Sequence, residues 1–174
     1  HYSVNDDPKS IEIITNKIEK LAGVDQIDGK LGELEFSISP NAFFQLNSKQ
    51  TSVLYDEVIN ALEPTGNEKV LDLYCGIGSI GLYVANKVKE VRGIDINQES
   101  ITNANQFALN NGLNNAKFYA GNILKQLEKF DKEGFIPDVV VVDPPRRGVE
   151  LQVINYLQKK KVKKIIYVSC NPST

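Results

Sequence analysis

From Lys69 onward the chain repeats one unit, a short apolar run followed by a segment of helix length. The runs are "KVLDLY", "EVRGIDI", "AKFYA", "DVVVVD" and "KKIIYVS". Strands spaced by helices read as a parallel sheet with crossover helices, which makes the fold class α/β. Four consecutive valines at 139–142, between Pro137 and Pro144, suit a strand buried on both faces. Helices are expected over residues 79–88, from an Asn97 cap to about residue 111 with Gly112 ending it, after Gly121, and over 151–160. Five parallel strands without a closing antiparallel pair leave a sheet of this kind unfinished.

The first 45 or so residues read differently. Turns are expected at "DDP" and "DGKLG", a helix near residues 11–21, and a strand in the alternating "LGELEFSIS". A helix carrying Val53, Leu54, Val58, Ile59 and Leu62, capped by Asn47 or Ser48, then leads into the sheet. Residues 1–44 are therefore expected to be the tail of a preceding unit, and 45–174 the α/β domain.

With 174 residues, 41% of them hydrophobic, the chain can bury one substantial core. No apolar run approaches the roughly 18 residues of a membrane span, and "HYSVNDDPKS" lacks the features of a signal peptide. The expectation is a cytoplasmic chain with no membrane contact. Two cysteines, Cys75 and Cys170, are too few for a disulfide framework or a four-cysteine cluster, which leaves thiol chemistry or simple packing, and no metal is expected. A net charge of −2 gives no global attraction for nucleic acid. The run Lys159, Lys160, Lys161, Lys163 and Lys164 is either a local basic patch or a solvated helix end complementing the helix dipole.

"LDLYCGIGSIG" sets Gly76, Gly78 and Gly81 in a G-x-G-x-x-G pattern between a strand and a helix, where the backbone can turn tightly and approach a ligand. The same turn can serve strand–helix packing alone. Nineteen residues after Gly76, Asp95 ends the second strand and can accept hydrogen bonds from a ribose. Asp72, just ahead of the glycines, would repel a pyrophosphate and attract a sulfonium or ammonium. With "DPPRRG" at the end of the fourth strand, this favours S-adenosylmethionine over a nicotinamide dinucleotide.

Ligands of open parallel sheets gather at the carboxyl ends of the strands, where Tyr74, Asp95, Asp143 and Cys170 all fall. A thiol there has a use if the methyl acceptor is a pyrimidine carbon: a thiolate adding to C6 of uracil makes C5 nucleophilic, and later loss of the C5 proton expels the thiol. Arg146 or Arg147 can lower the thiol's pKa. The target uridine has to be flipped out or unpaired, and Phe43 and Phe44 are candidates to stack on it or to pack in the core. Cys75, inside the glycine turn, reads as a packed residue.

Taken together, "FFQLN", "LDLYCGIGS", "GIDIN", the "GN" at 121, "DPPRRG" and "SCNPST" closely resemble the RNA (uracil-5-)-methyltransferase family, which makes 5-methyluridine in tRNA or ribosomal RNA. The resemblance implies a Rossmann-like class I methyltransferase core, C-terminally incomplete, preceded by a small β-containing segment. It implies Cys170 as nucleophile and an S-adenosylmethionine site lined by Gln45, Tyr74, Ser79, Asp95, Asn122 and Asp143. At Asp95 the family often has Glu, and at Ser79 often Asn. Its general base, a Glu well downstream of S-C-N-P, has no counterpart here, and its N-terminal RNA-binding barrel and iron–sulfur cysteines are not encoded. The resemblance therefore implies a piece of such an enzyme, with tRNA or ribosomal RNA as its partner. Two alternatives stay open: a cofactor-binding fragment without turnover, and an amino-group methyltransferase acting on adenine, in which an aromatic residue would follow D-P-P where Arg146 stands.

Overall fold

The computed structural model describes residues 2–3, 18–38 and 48–169. In chain order the elements are β1 (Tyr2–Ser3), β2 (Ile18–Glu19), β3 (Ile27–Leu31), β4 (Leu34–Ile38), α1 (Ser48–Leu62), β5 (Lys69–Leu73), α2 (Ser79–Ala85), β6 (Glu90–Asp95), α3 (Gln98–Asn110), β7 (Ala116–Ala120), α4 (Ile123–Lys132), β8 (Val139–Val142), α5 (Leu151–Lys160) and β9 (Lys164–Tyr167). The last five strands form one parallel sheet in the order β7-β6-β5-β8-β9. The chain walks outward from β5 to β7, then crosses back to lay down β8 and β9, so the order reverses beside β5. Such a reversal opens a crevice at the strands' carboxyl ends.

Alternation along β5 and β8 divides the core into two layers. Val70, Val139 and Val141 face the side covered by α1, α2 and α3, while Leu71, Leu73, Val140 and Val142 face α4 and α5. All four valines of β8 are buried, as expected for a strand with helices on both faces. On β6, the Arg92 guanidinium lies 4.3 Å from the Phe135 ring centroid and 4.8 Å from that of Phe130, and it pairs with Glu90 and Glu133 at the layer's edge.

Several sequence expectations shift. The helix expected over 79–88 ends at Ala85, because Asn115 Nδ2 donates to the carbonyls of Ala85 (2.7 Å) and Val88 (3.0 Å) and the chain folds back so that Val88 is buried. In α1 the buried stripe is Thr51, Tyr55, Val58 and Leu62, whereas Val53 and Leu54 are 53% and 37% exposed. The expected 11–21 helix is contradicted where it is described: Ile18–Glu19 is a strand paired with Tyr2–Ser3. "DGKLG" is mostly strand, and the turn falls at Gly32 and Glu33, with Gly32 at φ +59. The "DDP" turn and the Asn47 cap lie outside the described residues. The β3–β4 hairpin docks on α3: Phe36 stacks edge-on against Phe107 at 5.1 Å, and the Asn111 side chain both accepts from Glu35 N and donates to Glu35 O at 3.0 Å. Among the described residues no helix is long and apolar enough to cross a membrane.

Candidate ligand site at the carboxyl end of the sheet

The turn after β5 is held by its neighbours on both sides. Cys75 N donates to Ile94 O at 3.1 Å, Gly76 N to Asp95 Oδ2 at 2.9 Å, and Asp143 N to Leu73 O at 3.4 Å. Asp95 Oδ1 accepts from Asn97 N at 2.9 Å, and the Asp95 carbonyl accepts from Gly121 N at 2.8 Å. Asp95 thus fixes the glycine loop while each oxygen keeps a lone pair free for a hydroxyl donor. Gly76 sits at φ +53 with nothing within 4 Å of where a Cβ would stand, which leaves its backbone open to a ligand. Ile96, directly after Asp95, is 75% exposed and offers an apolar surface beside that acceptor.

Tyr74 bridges β5 to the loop after β8. Its backbone is left-handed at φ +61, and its hydroxyl donates to Glu150 Oε2. Burial and that hydrogen bond push the phenol's pKa up, and the same bond holds the Glu150 carboxyl below its usual range. Glu150 also accepts from Arg147 at 3.2 Å, so its side chain is spent on the loop although it occupies the N-cap of α5. Arg146, beside it, is exposed. Asp143 is half-buried with no side-chain partner among the described residues, and burial pushes its pKa up to about 6.

Ser79 opens α2, and its Oγ lies 2.7 Å from the Tyr55 hydroxyl on α1. Asn122 is the N-cap of α4; its Oδ1 accepts from Lys125 N at 3.2 Å, so its amide already has a structural task. Tyr74, Asp95 and Asp143 are brought together on three adjacent strands, with Ser79 on the helix behind them and Asn122 one strand further out. Gln45, Phe43, Phe44 and Cys170 lie outside the described residues.

Two readings of acidic and thiol groups can now be judged. Asp72 does not face the crevice: it is 1% exposed beneath α2, where Oδ2 accepts from Gly81 N at 2.9 Å and Oδ1 has no partner among the described residues. Burial pushes its pKa up to about 8, so it is not the carboxylate that attracts a cationic ligand; the half-buried Asp143 is better suited. Cys75 is buried and its thiol is pushed well up by burial, in keeping with a packed residue. Sequence reasoning missed Tyr55 and Glu150. For Tyr55 a signal existed, since a tyrosine within a buried helical stripe needs a partner for its hydroxyl.

The lysine run is at the far end of the sheet from this crevice, where β9 begins. Lys160 pairs with Asp131 at 2.7 Å, Lys163 with Asp138 at 3.0 Å and Lys164 with Glu63 at 2.6 Å. A surface cavity of about 310 Å³ at that end is lined by the Lys163–Asp138 and Lys164–Glu63 pairs and by Leu62, Glu68 and Val139. Its two lysines are already matched by carboxylates, and Glu68 is held by the backbone amides of Thr65 and Gly66.

Residues 10–174 match the family model described as tRNA (Uracil-5-)-methyltransferase. Proteins called uncharacterized RNA methyltransferase from Bacillus cereus and Listeria monocytogenes are 48% and 50% identical over 166 residues, 95% of this chain and 36% of each relative. The chain thus spans about a third of the length of those relatives. The tRNA (uracil-54, C5)-methyltransferase of Pyrococcus abyssi, solved in complex with S-adenosyl-L-homocysteine, superposes with a TM-score of 0.77 at 34% identity, covering 98% of this chain and 40% of that one. A SAM-dependent methyltransferase from Agrobacterium tumefaciens, 24% identical, shares the fold with a TM-score of 0.59 over 75% of this chain and 43% of its own.

Proposed function

This chain belongs to the tRNA (uracil-5-)-methyltransferase family, and from that membership we propose that it forms the methyl-donor half of an enzyme that methylates C5 of a uridine in RNA, with S-adenosylmethionine as donor. The observation that carries the reading is the cluster of acceptors at one crevice. Asp95 offers lone pairs suited to ribose hydroxyls, Asp143 is a carboxylate with no side-chain partner among the described residues and suits a cationic amino-acid tail, and Gly76 leaves open backbone between them. Ile96 adds an apolar surface for a base beside Asp95. Tyr74, Ser79, Asn122 and Gln45 complete the proposed lining.

The bound donor supplies a methyl group on a sulfonium. Cys170 is the proposed nucleophile: its thiolate adds to uracil C6, the resulting carbanion at C5 takes the methyl, a base removes the C5 proton, and the C6–S bond breaks to release the thiol. Arg146 is the better placed to support the thiolate, because Arg147 is engaged by Glu150 while Arg146 is exposed with no ion pair among the described residues. The acceptor uridine, in tRNA or ribosomal RNA, has to be unpaired or flipped out to be reached.

The test is an adduct assay with the full-length enzyme. RNA carrying 5-fluorouridine blocks the final elimination, so the wild type with S-adenosylmethionine is expected to give a denaturation-resistant protein–RNA band, and Cys170→Ala none. No band from wild type with either tRNA or ribosomal RNA would sink the covalent uracil reading.

A further inference from the structure

Tyr55 lies in the middle of α1 at 1% exposure, with its ring edge-on to Tyr83 at a centroid distance of 5.5 Å. Its hydroxyl has one hydrogen-bond partner among the described residues, Ser79 Oγ at 2.7 Å. Two hydroxyls share one bond, and burial decides its direction. If Ser79 donated, the phenolic proton would be left in the core with no acceptor among the described residues, since the buried Asp72 Oδ1 is itself in no hydrogen bond there. A stranded buried donor costs more than one hydrogen bond returns. Tyr55 therefore donates and Ser79 Oγ accepts, which frees the serine proton to point out of the half-buried helix start.

We propose that Tyr55 is a positioning residue that fixes Ser79 as a hydrogen-bond donor to the carboxylate of the methyl donor's amino-acid tail, a role that rests on the S-adenosylmethionine reading above. The ligand's chemistry selects that atom. Ribose hydroxyls and the tail ammonium are served by acceptors, Asp95 and Asp143. The tail carboxylate is the ligand's one anionic group and needs a donor near the residue that holds the ammonium, since both groups leave the same carbon. Asp143 follows β8 and its N–H donates to Leu73 O at the end of the adjacent β5, whose following helix Ser79 opens, so the Tyr55–Ser79 pair stands at that corner.

Titration calorimetry of this chain with two probes separates the possibilities. S-adenosylhomocysteine carries the amino-acid tail; 5′-methylthioadenosine has the same nucleoside without it. Tyr55→Phe, which keeps the ring and its packing, is expected to weaken S-adenosylhomocysteine by about five- to tenfold and leave 5′-methylthioadenosine unchanged, the loss of one well-formed hydrogen bond. Ser79→Ala should do the same, and Tyr55→Phe should add nothing in the Ser79→Ala background. Equal weakening of both probes would mean a general structural effect or a nucleoside contact and would overturn the proposal, as would no change with either or full additivity in the double variant. Wild type that binds neither probe would instead bring down the donor reading beneath it.

Discussion

An added Cβ at Gly93 would lie 2.2 Å from Phe118 Cδ1 and 2.9 Å from Cys75 Sγ, and one at Gly78 would lie 2.6 Å from the same ring. One at Gly81 would meet Asp72 Oδ2 at 3.0 Å. Phe118 thus fills the space under the glycine loop and makes Gly93 a glycine, while Gly78 answers both to that ring and to its own φ of +76. Gly76 is different: its φ of +53 favours a glycine, and its surroundings are empty. The two causes predict opposite outcomes. Gly93→Ala should destabilise the fold by about 2–3 kcal/mol through overpacking, partly relieved by Phe118→Leu. Gly76→Ala should cost only about 1–2 kcal/mol of backbone strain but weaken S-adenosylhomocysteine severely. Denaturant melts and calorimetry on the same samples separate them, and a Gly76→Ala variant with unchanged affinity would refute the ligand role. Asp72 yields a pH prediction. Its folded carboxyl titrates near 8 against a normal 3.8, so the folded state holds the proton more tightly and stability falls as pH rises from about 4 to about 8. Asp143, raised to about 6, adds a smaller fall of the same sign at lower pH. Asp72→Asn cannot ionise, and urea unfolding at pH 5, 6.5 and 8 should show it gaining on wild type at each step. Parallel curves would mean that Asp72 does not titrate in that range.

The strands were readable because each carries its own evidence: the β8 valines and the "KVLDL" of β5 are buried on both faces, and no distant residue is needed to recognise them. Helix ends were less legible because they are set by partners far along the chain. Asn97 caps α3 from the adjacent residue and was found; Asn115 stops α2 from 30 residues beyond Ala85 and was not. Strand phase also explains the misreading of Asp72. Leu71 and Leu73 take the α4–α5 side, which leaves Asp72 on the layer beneath α2 and away from the crevice. If Asn115 is what ends α2, Asn115→Ala should cost about 1–2 kcal/mol for two lost hydrogen bonds to backbone carbonyls. It should also raise amide hydrogen exchange in residues 85–91 before the rest of the sheet, and uniform acceleration across all five strands would argue against that local role.

Across the whole molecule the site was half legible. Tyr74, Asp95 and Asp143 follow strands directly and could be read from the repeat, whereas the Tyr55–Ser79 and Tyr74–Glu150 bonds join residues 24 and 76 apart and exist only once the sheet is assembled. The fold also sorts charge by end. The crevice gathers Asp95, Asp143 and Glu150, with Arg147 already paired to Glu150, while three of the five clustered lysines are matched by carboxylates at the opposite end of the sheet. A surface arranged this way, with a net charge of −2, offers an RNA backbone few uncompensated cations at the crevice among the described residues. Each phosphate neutralised in a single strand contributes a slope of about −0.7 to log K against log salt concentration. This chain should therefore bind single-stranded RNA weakly, with a slope no steeper than about −2, equivalent to at most about three phosphates. A full-length relative, nearly three times as long, should be tighter and steeper if it carries further RNA contacts. Fluorescence anisotropy between about 50 and 200 mM salt measures both slopes. A slope near −5 from this chain alone would mean that the described charge distribution misses a basic surface, and the division of labour argued from it would fall.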